Sequence, residues 1–78
     1  MIHQLKIEDE YLANLVSKKK LSEIRFNDRD YQLGDILEFY GGYENGNRYY
    51  RFEIIHIHSG LGLKEGYVVL SVKILEEE

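Results

Sequence analysis

The sequence predicts a mainly β fold with one α-helix, in which five strands form a small, highly curved sheet. Apolar and polar residues alternate in five segments, as they do in strands with one buried face. One segment, between the first two strands, has the apolar spacing of a helix. In the fourth strand Tyr50, Phe52 and Ile54 share one parity and Ile55 and Ile57 the other. A bulge near Ile54 would keep both sets inward and bend the sheet into a barrel.

Each element has a recognisable pattern of side chains. The helix has carboxylates in its first turn and lysines in its last, which matches the helix dipole. The last strand alternates cleanly, with buried positions expected at Val68, Leu70, Val72 and Ile74. Asn27–Asp30 and Leu33–Asp35 have turn chemistry, and Asn45-Gly46 predicts a hairpin. The predicted strands cover Ile2–Ile7, Leu21–Asn27, Ile36–Tyr40, Arg48–His58 and Tyr67–Leu75, and the helix covers Glu8–Lys19.

The second strand carries charge on one of its faces. Ile24 and Phe26 are apolar and share their parity with Ser22, so this face is expected to point into the core. Glu23 and Arg25 are then neighbours on the opposite, solvent-facing side. We expect these two charged residues to lie close enough to interact with each other or with one ligand.

Length and composition restrict the class of protein. Seventy-eight residues, 44% of them hydrophobic, predict one globular domain over residues 1–78. The absence of cysteine excludes a disulfide scaffold and a thiolate metal site. His56 and His58 share one strand face and could present two metal ligands, but the sequence has no obvious third. We therefore expect neither a metal nor a cofactor.

Hydropathy bears on the location of the protein. No apolar run approaches the roughly 20 residues that a membrane helix needs, and the N-terminus has polar residues where a signal peptide has an apolar core. We expect a cytoplasmic protein that does not contact membranes and that is a monomer or a weak dimer.

Positive charge is concentrated in one part of an acidic chain. Residues 18–29 have a net charge of +3 and the remaining residues −7, which gives −4 in total. A local positive field can attract an anionic ligand such as nucleic acid even where the net charge opposes it. The basic residues of this cluster are Lys18, Lys19, Lys20, Arg25 and Arg29.

The cluster also carries a resemblance to a known family. The run Lys20-Leu-Ser-Glu-Ile-Arg resembles the Gly-x-Lys-x-x-Glu-x-Arg signature of ASCH domains, a branch of the PUA-like superfamily. The segments 27–37 and 62–70 are similar to a small bacterial and phage family of unknown function within this group. The resemblance covers essentially the whole chain and implies a PUA-like five-stranded pseudo-barrel, with the helix between strands one and two.

The resemblance also implies RNA-related binding in a cleft beside the motif. Lys20 matches the signature lysine, Glu23 its glutamate and Arg25 its arginine. Lys18 stands where the signature has glycine, which adds charge beside the cleft and leaves the local turn geometry open. Arg29 lies between two aspartates that could simply neutralise it, and we slightly favour that structural role.

Three functions remain open. The first is a noncatalytic module that binds RNA or a modified nucleotide, with Lys20 and Arg25 on anionic groups, Glu23 as orienting residue and tyrosines as stacking surfaces. The second is a small hydrolase acting on a modified nucleoside, because some ASCH relatives are amidohydrolases that use a lysine and a threonine nucleophile. Glu23 replaces that threonine, so catalysis ranks below binding. The third is a protein-interaction domain.

Overall fold

The computed structural model describes residues 1–17, 21–40 and 49–75. In this part of the chain the five strands and the single helix are present, and the helix lies between the first two strands, as predicted. The hairpin predicted at Asn45-Gly46 lies outside the described residues. The elements are β1 (Ile2–Lys6), α1 (Asp9–Val16), β2 (Ser22–Phe26), β3 (Ile36–Tyr40), β4 (Tyr49–Ser59) and β5 (Tyr67–Ile74).

All five strands form one curled sheet in the order β1-β3-β4-β5-β2. β1 and β3 run parallel, with Ile2 opposite Ile36, and the other neighbouring pairs are antiparallel. β1 and β2 are therefore the two edges of the sheet. The curvature gives the sheet an inner face that holds the core and an outer, solvent-facing side, as in a small α+β pseudo-barrel.

The core combines the inner face of the sheet with one side of α1. Leu12 and Leu15 of the helix are fully buried. The helix ends at Val16, three residues before the predicted end. Among the described residues, the rest of the core comes from every strand except β2 and from the loop residue Tyr31. The strand residues are Leu5, Leu37, Phe39, Phe52, Ile54, Val68, Leu70 and Val72.

The bulge predicted in β4 is confirmed. The pairing of β4 with β5 shifts register between Ile54 and His56. Phe52 and Ile54 are buried before the shift, and Ile57 packs against the core after it. The expectation that Ile55 also points inward is wrong, because Ile55 is the extra residue at the bulge and is 51% exposed. The inward positions predicted in β5 are confirmed.

The predicted orientation of β2 is reversed. Ile24 and Phe26 are 59% and 54% exposed, whereas Glu23 is only 9% exposed. The pairing with β5 places Glu23 opposite Leu70 and Arg25 opposite Val68, both of which point into the core. The charged side of β2 is therefore the inner side, and Ser22 shares the outer side with the two apolar residues.

The structure also bears on membrane insertion. In residues 1–17, 21–40 and 49–75, no helix is long and apolar enough to cross a membrane.

Candidate functional site

Three polar residues lie together on the inner face, and we call Glu23, Arg25 and Tyr31 the inner site. Arg25 lies on edge strand β2, and its Nη2 donates a hydrogen bond of 3.0 Å to the carbonyl oxygen of Lys6 at the end of β1. Its Cζ atom lies 5.7 Å from the centroid of the Phe39 ring, within cation–π distance. The guanidinium is thus positioned between the two edges of the sheet, with only one of its donors used in this bond.

Glu23 contributes a carboxyl group that is only 9% exposed. Its side chain points the same way as Arg25 because the two residues are separated by two positions on one strand. Burying a carboxylate is costly unless charged or hydrogen-bonding groups surround it. Its position opposite Leu70 places a carboxyl group on the inner side of the edge strand, beside Arg25.

Tyr31 brings a buried hydroxyl to the same region. The residue is only 3% exposed, and its backbone N–H donates to Asn27 Oδ1 at 3.0 Å, which fixes the loop after β2. Burial raises the pKa of the Tyr31 hydroxyl above 10.0, and the nearby Arg25 lowers it in part. The hydroxyl is therefore protonated at neutral pH, and no residue in the described part of the chain is hydrogen-bonded to it.

A buried His–Asp pair holds the loop that carries Tyr31. His3 Nε2 and Asp35 Oδ2 are 2.8 Å apart, and the backbone N–H of Gln32 donates to the same oxygen at 3.0 Å. The ring of His3 meets the ring of Tyr31 edge to face at 4.8 Å. The hydrogen bond with His3 is the main cause that holds the pKa of Asp35 below its usual value. This pair connects β1 to the loop and so positions Tyr31.

A second polar site lies on the outer face of the sheet. The register of β1, β3 and β4 places Gln4, Glu38 and Arg51 side by side. Glu38 is 5% exposed; it accepts hydrogen bonds from Gln4 Nε2 at 2.9 Å and Arg51 Nε at 2.7 Å. Arg51 is the largest cause that lowers the pKa of Glu38. With Ile2 and Arg29, these three residues line a cavity of about 440 Å³, which we call the outer pocket.

The position of Arg29 matches neither of two expectations, which were that it binds a ligand together with Arg25 or that its flanking aspartates neutralise it. It lines the outer pocket rather than accompanying Arg25 on the inner face. The interpretation that its flanking aspartates neutralise it was wrong, because no described residue forms an ion pair with it. Asp30 instead turns the chain with a φ of 50° and accepts a hydrogen bond of 3.1 Å from Gln32 Nε2.

The structure therefore brings together only part of the predicted basic cluster. Glu23 and Arg25 share the inner site, and Arg29 is in the outer pocket. Lys18, Lys19 and Lys20 lie outside the described residues. The glycine-rich loop between β4 and β5 lines a separate cavity of about 420 Å³ with Asn27 and Tyr67.

Three residues of these two sites are not predicted from the sequence: Tyr31, Glu38 and Arg51. The signal for Tyr31 was weak, because one tyrosine in a polar loop has no periodic partner. A signal for Glu38 was present, because it interrupts the apolar run Ile36-Leu37-Glu38-Phe39 and must face away from Leu37. Its pairing with Arg51, however, requires the register of the sheet.

The remaining tyrosines and histidines have exposed or supporting positions. Tyr40 and Tyr49 are 41% and 52% exposed, and their ring centroids are 5.1 Å apart. Tyr50 packs against the core, and Tyr43 lies outside the described residues. His56 and His58 are exposed on β4, and no three potential metal ligands come together in the part of the chain that the structure describes.

A comparison with protein-family models identifies the family of this chain. A family model described as a domain of unknown function, DUF3850, matches residues 2–72. This range includes the inner site and the outer pocket. No curated protein matches the sequence.

Proposed function

The chain belongs to the DUF3850 family, a domain of unknown function, and we propose that its inner site binds a single-stranded RNA or a modified nucleotide. The observation that carries this proposal is the juxtaposition of three polar groups on a face that otherwise forms the core. Glu23 is 9% exposed, Tyr31 is 3% exposed, and Arg25 lies between the sheet edges. A ligand that entered between β1 and β2 would meet all three.

The three groups have complementary roles toward a nucleotide. Arg25 retains donors beyond the one bonded to Lys6, and these suit a phosphate or the acceptor edge of a base. Glu23 accepts hydrogen bonds from an amino group on a base. The Tyr31 hydroxyl can donate or accept, and a ligand would satisfy a buried group that costs free energy while it has no partner.

The charge of the protein favours a small ligand or an unpaired strand over a duplex. A net charge of −4 opposes binding that depends on many phosphate contacts. Unpaired nucleotides expose their base edges, so a few charge contacts can be combined with shape and hydrogen bonding. The resemblance of Lys20, Glu23 and Arg25 to the ASCH signature supports the same proposal.

Fluorescence anisotropy tests this function directly. Labelled single-stranded, hairpin and duplex RNA and DNA are titrated with the parent and with a Lys20→Ala/Arg25→Ala variant at low and at physiological salt. A Lys64→Ala/Lys73→Ala variant is the matched control, because it has the same net charge but lacks two lysines away from the inner site. Folding of each variant is checked by circular dichroism.

We expect single strands to bind in a salt-dependent way. Their affinity should fall at least tenfold in the Lys20→Ala/Arg25→Ala variant and less than threefold in the control. An equal loss in both variants would show that only net charge matters. Absence of binding to every nucleic acid, together with turnover of modified nucleosides, would instead favour the hydrolase.

A further inference from the structure

In the outer pocket, the buried carboxylate of Glu38 holds the Arg51 guanidinium in place. Glu38 contacts Arg51 through the Nε atom, at 2.7 Å. No hydrogen bond from either Nη group of Arg51 ends on a described residue. Gln4 occupies the other oxygen of Glu38, so this carboxylate is fully engaged. The guanidinium is therefore held by the rigid sheet while its outer donors face the pocket, an arrangement suited to anion recognition.

Arg29 supplies a second guanidinium to the same pocket. It reaches the pocket from the loop after β2, whereas Arg51 comes from β4. Within residues 1–17, 21–40 and 49–75, Arg29 makes neither a hydrogen bond nor an ion pair. Glu38 neutralises one of the two arginines, which leaves the pocket with a net positive charge. Two arginine forks can bind one phosphate group through several donors.

An aromatic pair continues the outer face beside the pocket. Tyr40 and Tyr49 are opposite each other, and each lies two residues along its strand from Glu38 or Arg51. Side chains two residues apart share one face and are separated by roughly 7 Å, a distance that a ribose can span. Lys6 is in the same row, opposite Tyr40, and is exposed.

We propose that the outer face of β1, β3 and β4 binds a nucleoside phosphate, with its phosphate between Arg29 and Arg51 and its base on the Tyr40–Tyr49 pair. The apolar Ile2 forms the far wall of the pocket. Half-exposed tyrosines beside a cationic pocket match both parts of a nucleotide, since aromatic rings stack on bases and arginine binds phosphate. This surface is separate from the inner site, which lies on the opposite face.

Titration of the isotope-labelled protein with adenosine monophosphate tests the proposal. The signals followed by NMR are the Nε–H groups of arginine and the backbone amides of β3 and β4. Arg29→Gln and Tyr40→Leu remove the two halves of the site; neither residue has a role in the core. Their controls are Lys64→Gln, which removes one positive charge from an exposed lysine outside both sites, and Tyr67→Leu, an exposed tyrosine on β5.

We expect saturable shifts at Arg29, Arg51 and Tyr40, with affinity reduced at least tenfold by Arg29→Gln and at least threefold by Tyr40→Leu. Both controls should retain the parent affinity within twofold. Non-saturable shifts, or equal loss of affinity in Arg29→Gln and Lys64→Gln, would overturn the proposal. An affinity for adenosine monophosphate that falls in an Arg25→Gln variant but not in Arg29→Gln would also overturn it, and would leave the inner-site function standing.

Titrations with a single-stranded oligonucleotide and with acetate show whether the outer face binds a nucleic-acid strand, a free nucleotide or any anion. A single-stranded oligonucleotide that binds the outer face at least tenfold more tightly than the mononucleotide would identify a nucleic-acid strand. Equal or weaker binding of the strand would identify a free nucleotide, and either result supports the nucleoside-phosphate site. Equal binding of acetate and adenosine monophosphate would contradict it, because acetate has neither phosphate nor base.

Discussion

Arg25 and Lys6 connect the two edges of the sheet, through a hydrogen bond of 3.0 Å from the Arg25 Nη2 to the Lys6 carbonyl oxygen. β1 and β2 are not neighbours in the strand order, so this bond spans the opening of the half-barrel. The same side chain is thus both a structural connection and the cation of the inner site. A ligand bound at the inner site would contact the Arg25 guanidinium, and the position of this group depends on the distance between β1 and β2.

The first prediction concerns this connection. Arg25→Leu removes the bond to Lys6 and the contact with Phe39, and we expect the free energy of unfolding to fall by about 1 kcal/mol, since the bond is charge-assisted but partly exposed. Urea denaturation measures the change. Arg29→Gln is the control, because Arg29 has no partner among the described residues, and its effect should stay within about 0.5 kcal/mol. Equal effects of the two substitutions would contradict the structural role of Arg25.

The second prediction concerns pH. The pKa of Asp35 is held below its usual 3.8, chiefly by the hydrogen bond with His3. The folded protein therefore binds a proton at Asp35 less readily than the unfolded chain does. The resulting stability is present above the unfolded pKa and is lost as the pH falls through the folded pKa. We expect Asp35→Asn to reduce the loss of stability between about pH 5 and pH 2.

Denaturant titrations at several pH values measure this effect. Glu38 has a lowered pKa too, so some acid sensitivity should persist in Asp35→Asn. Glu53→Gln is the control, since Glu53 forms a surface ion pair of 3.4 Å with Lys73. This substitution should leave the acid-induced loss of stability as it is in the parent. Parallel stability–pH curves for the parent and Asp35→Asn would refute the linkage.

The third prediction separates stability from binding at Tyr31. Tyr31→Phe removes a buried hydroxyl without a partner among the described residues and keeps the ring that packs on His3. We expect the free energy of unfolding to stay constant or rise by about 1 kcal/mol. Affinity for the single-stranded ligand should fall at least threefold in the same variant. Thermal denaturation and anisotropy measure the two effects, and loss of stability with unchanged affinity would contradict the assignment.

The fourth prediction concerns the turn that enters β5. Gly66 has a φ of 87°, and a Cβ there would lie 2.5 Å from the Phe26 ring. Gly62 has a similar φ of 82° but open space around its Cα. Gly62→Ala should cost about 1 kcal/mol from backbone strain, and Gly66→Ala about 2–3 kcal/mol because strain and steric contact combine. Urea denaturation compares them; equal costs would show that Phe26 moves away freely.

The sequence predicts the strands well because alternation with period two is a direct consequence of burial on one face. It also predicts the bulge in β4, since the apolar parity changes after Ile54 and an inserted residue lets Ile54 and Ile57 both face the core. It fails for β2, because alternation shows which residues share a face but not which face is inward. Ile24 and Phe26 are apolar, yet Phe26 packs on Tyr67 at the rim instead of in the core.

The two polar sites depend on contacts between distant parts of the chain. Arg29 is flanked by aspartates in sequence, but Asp30 bonds to Gln32 and the arginine lines the outer pocket together with Arg51 and Glu38. Tyr31 reaches the inner site because His3 and Asp35 hold its loop against β1. No local pattern contains this information, since it arises from strand order and register.

The most direct measurement of the central claim is NMR mapping of a single-stranded RNA on the labelled protein. If RNA binds at the inner site, we expect saturable shifts at the Arg25 Nε–H group and at the backbone amides of Glu23 and Tyr31. The shifts at the Glu23 and Tyr31 amides should be lost in Arg25→Gln, which removes the guanidinium charge and keeps a polar side chain. Saturable shifts at Arg29, Arg51 and Tyr40 with Arg25 unchanged would contradict the inner site as the place where RNA binds.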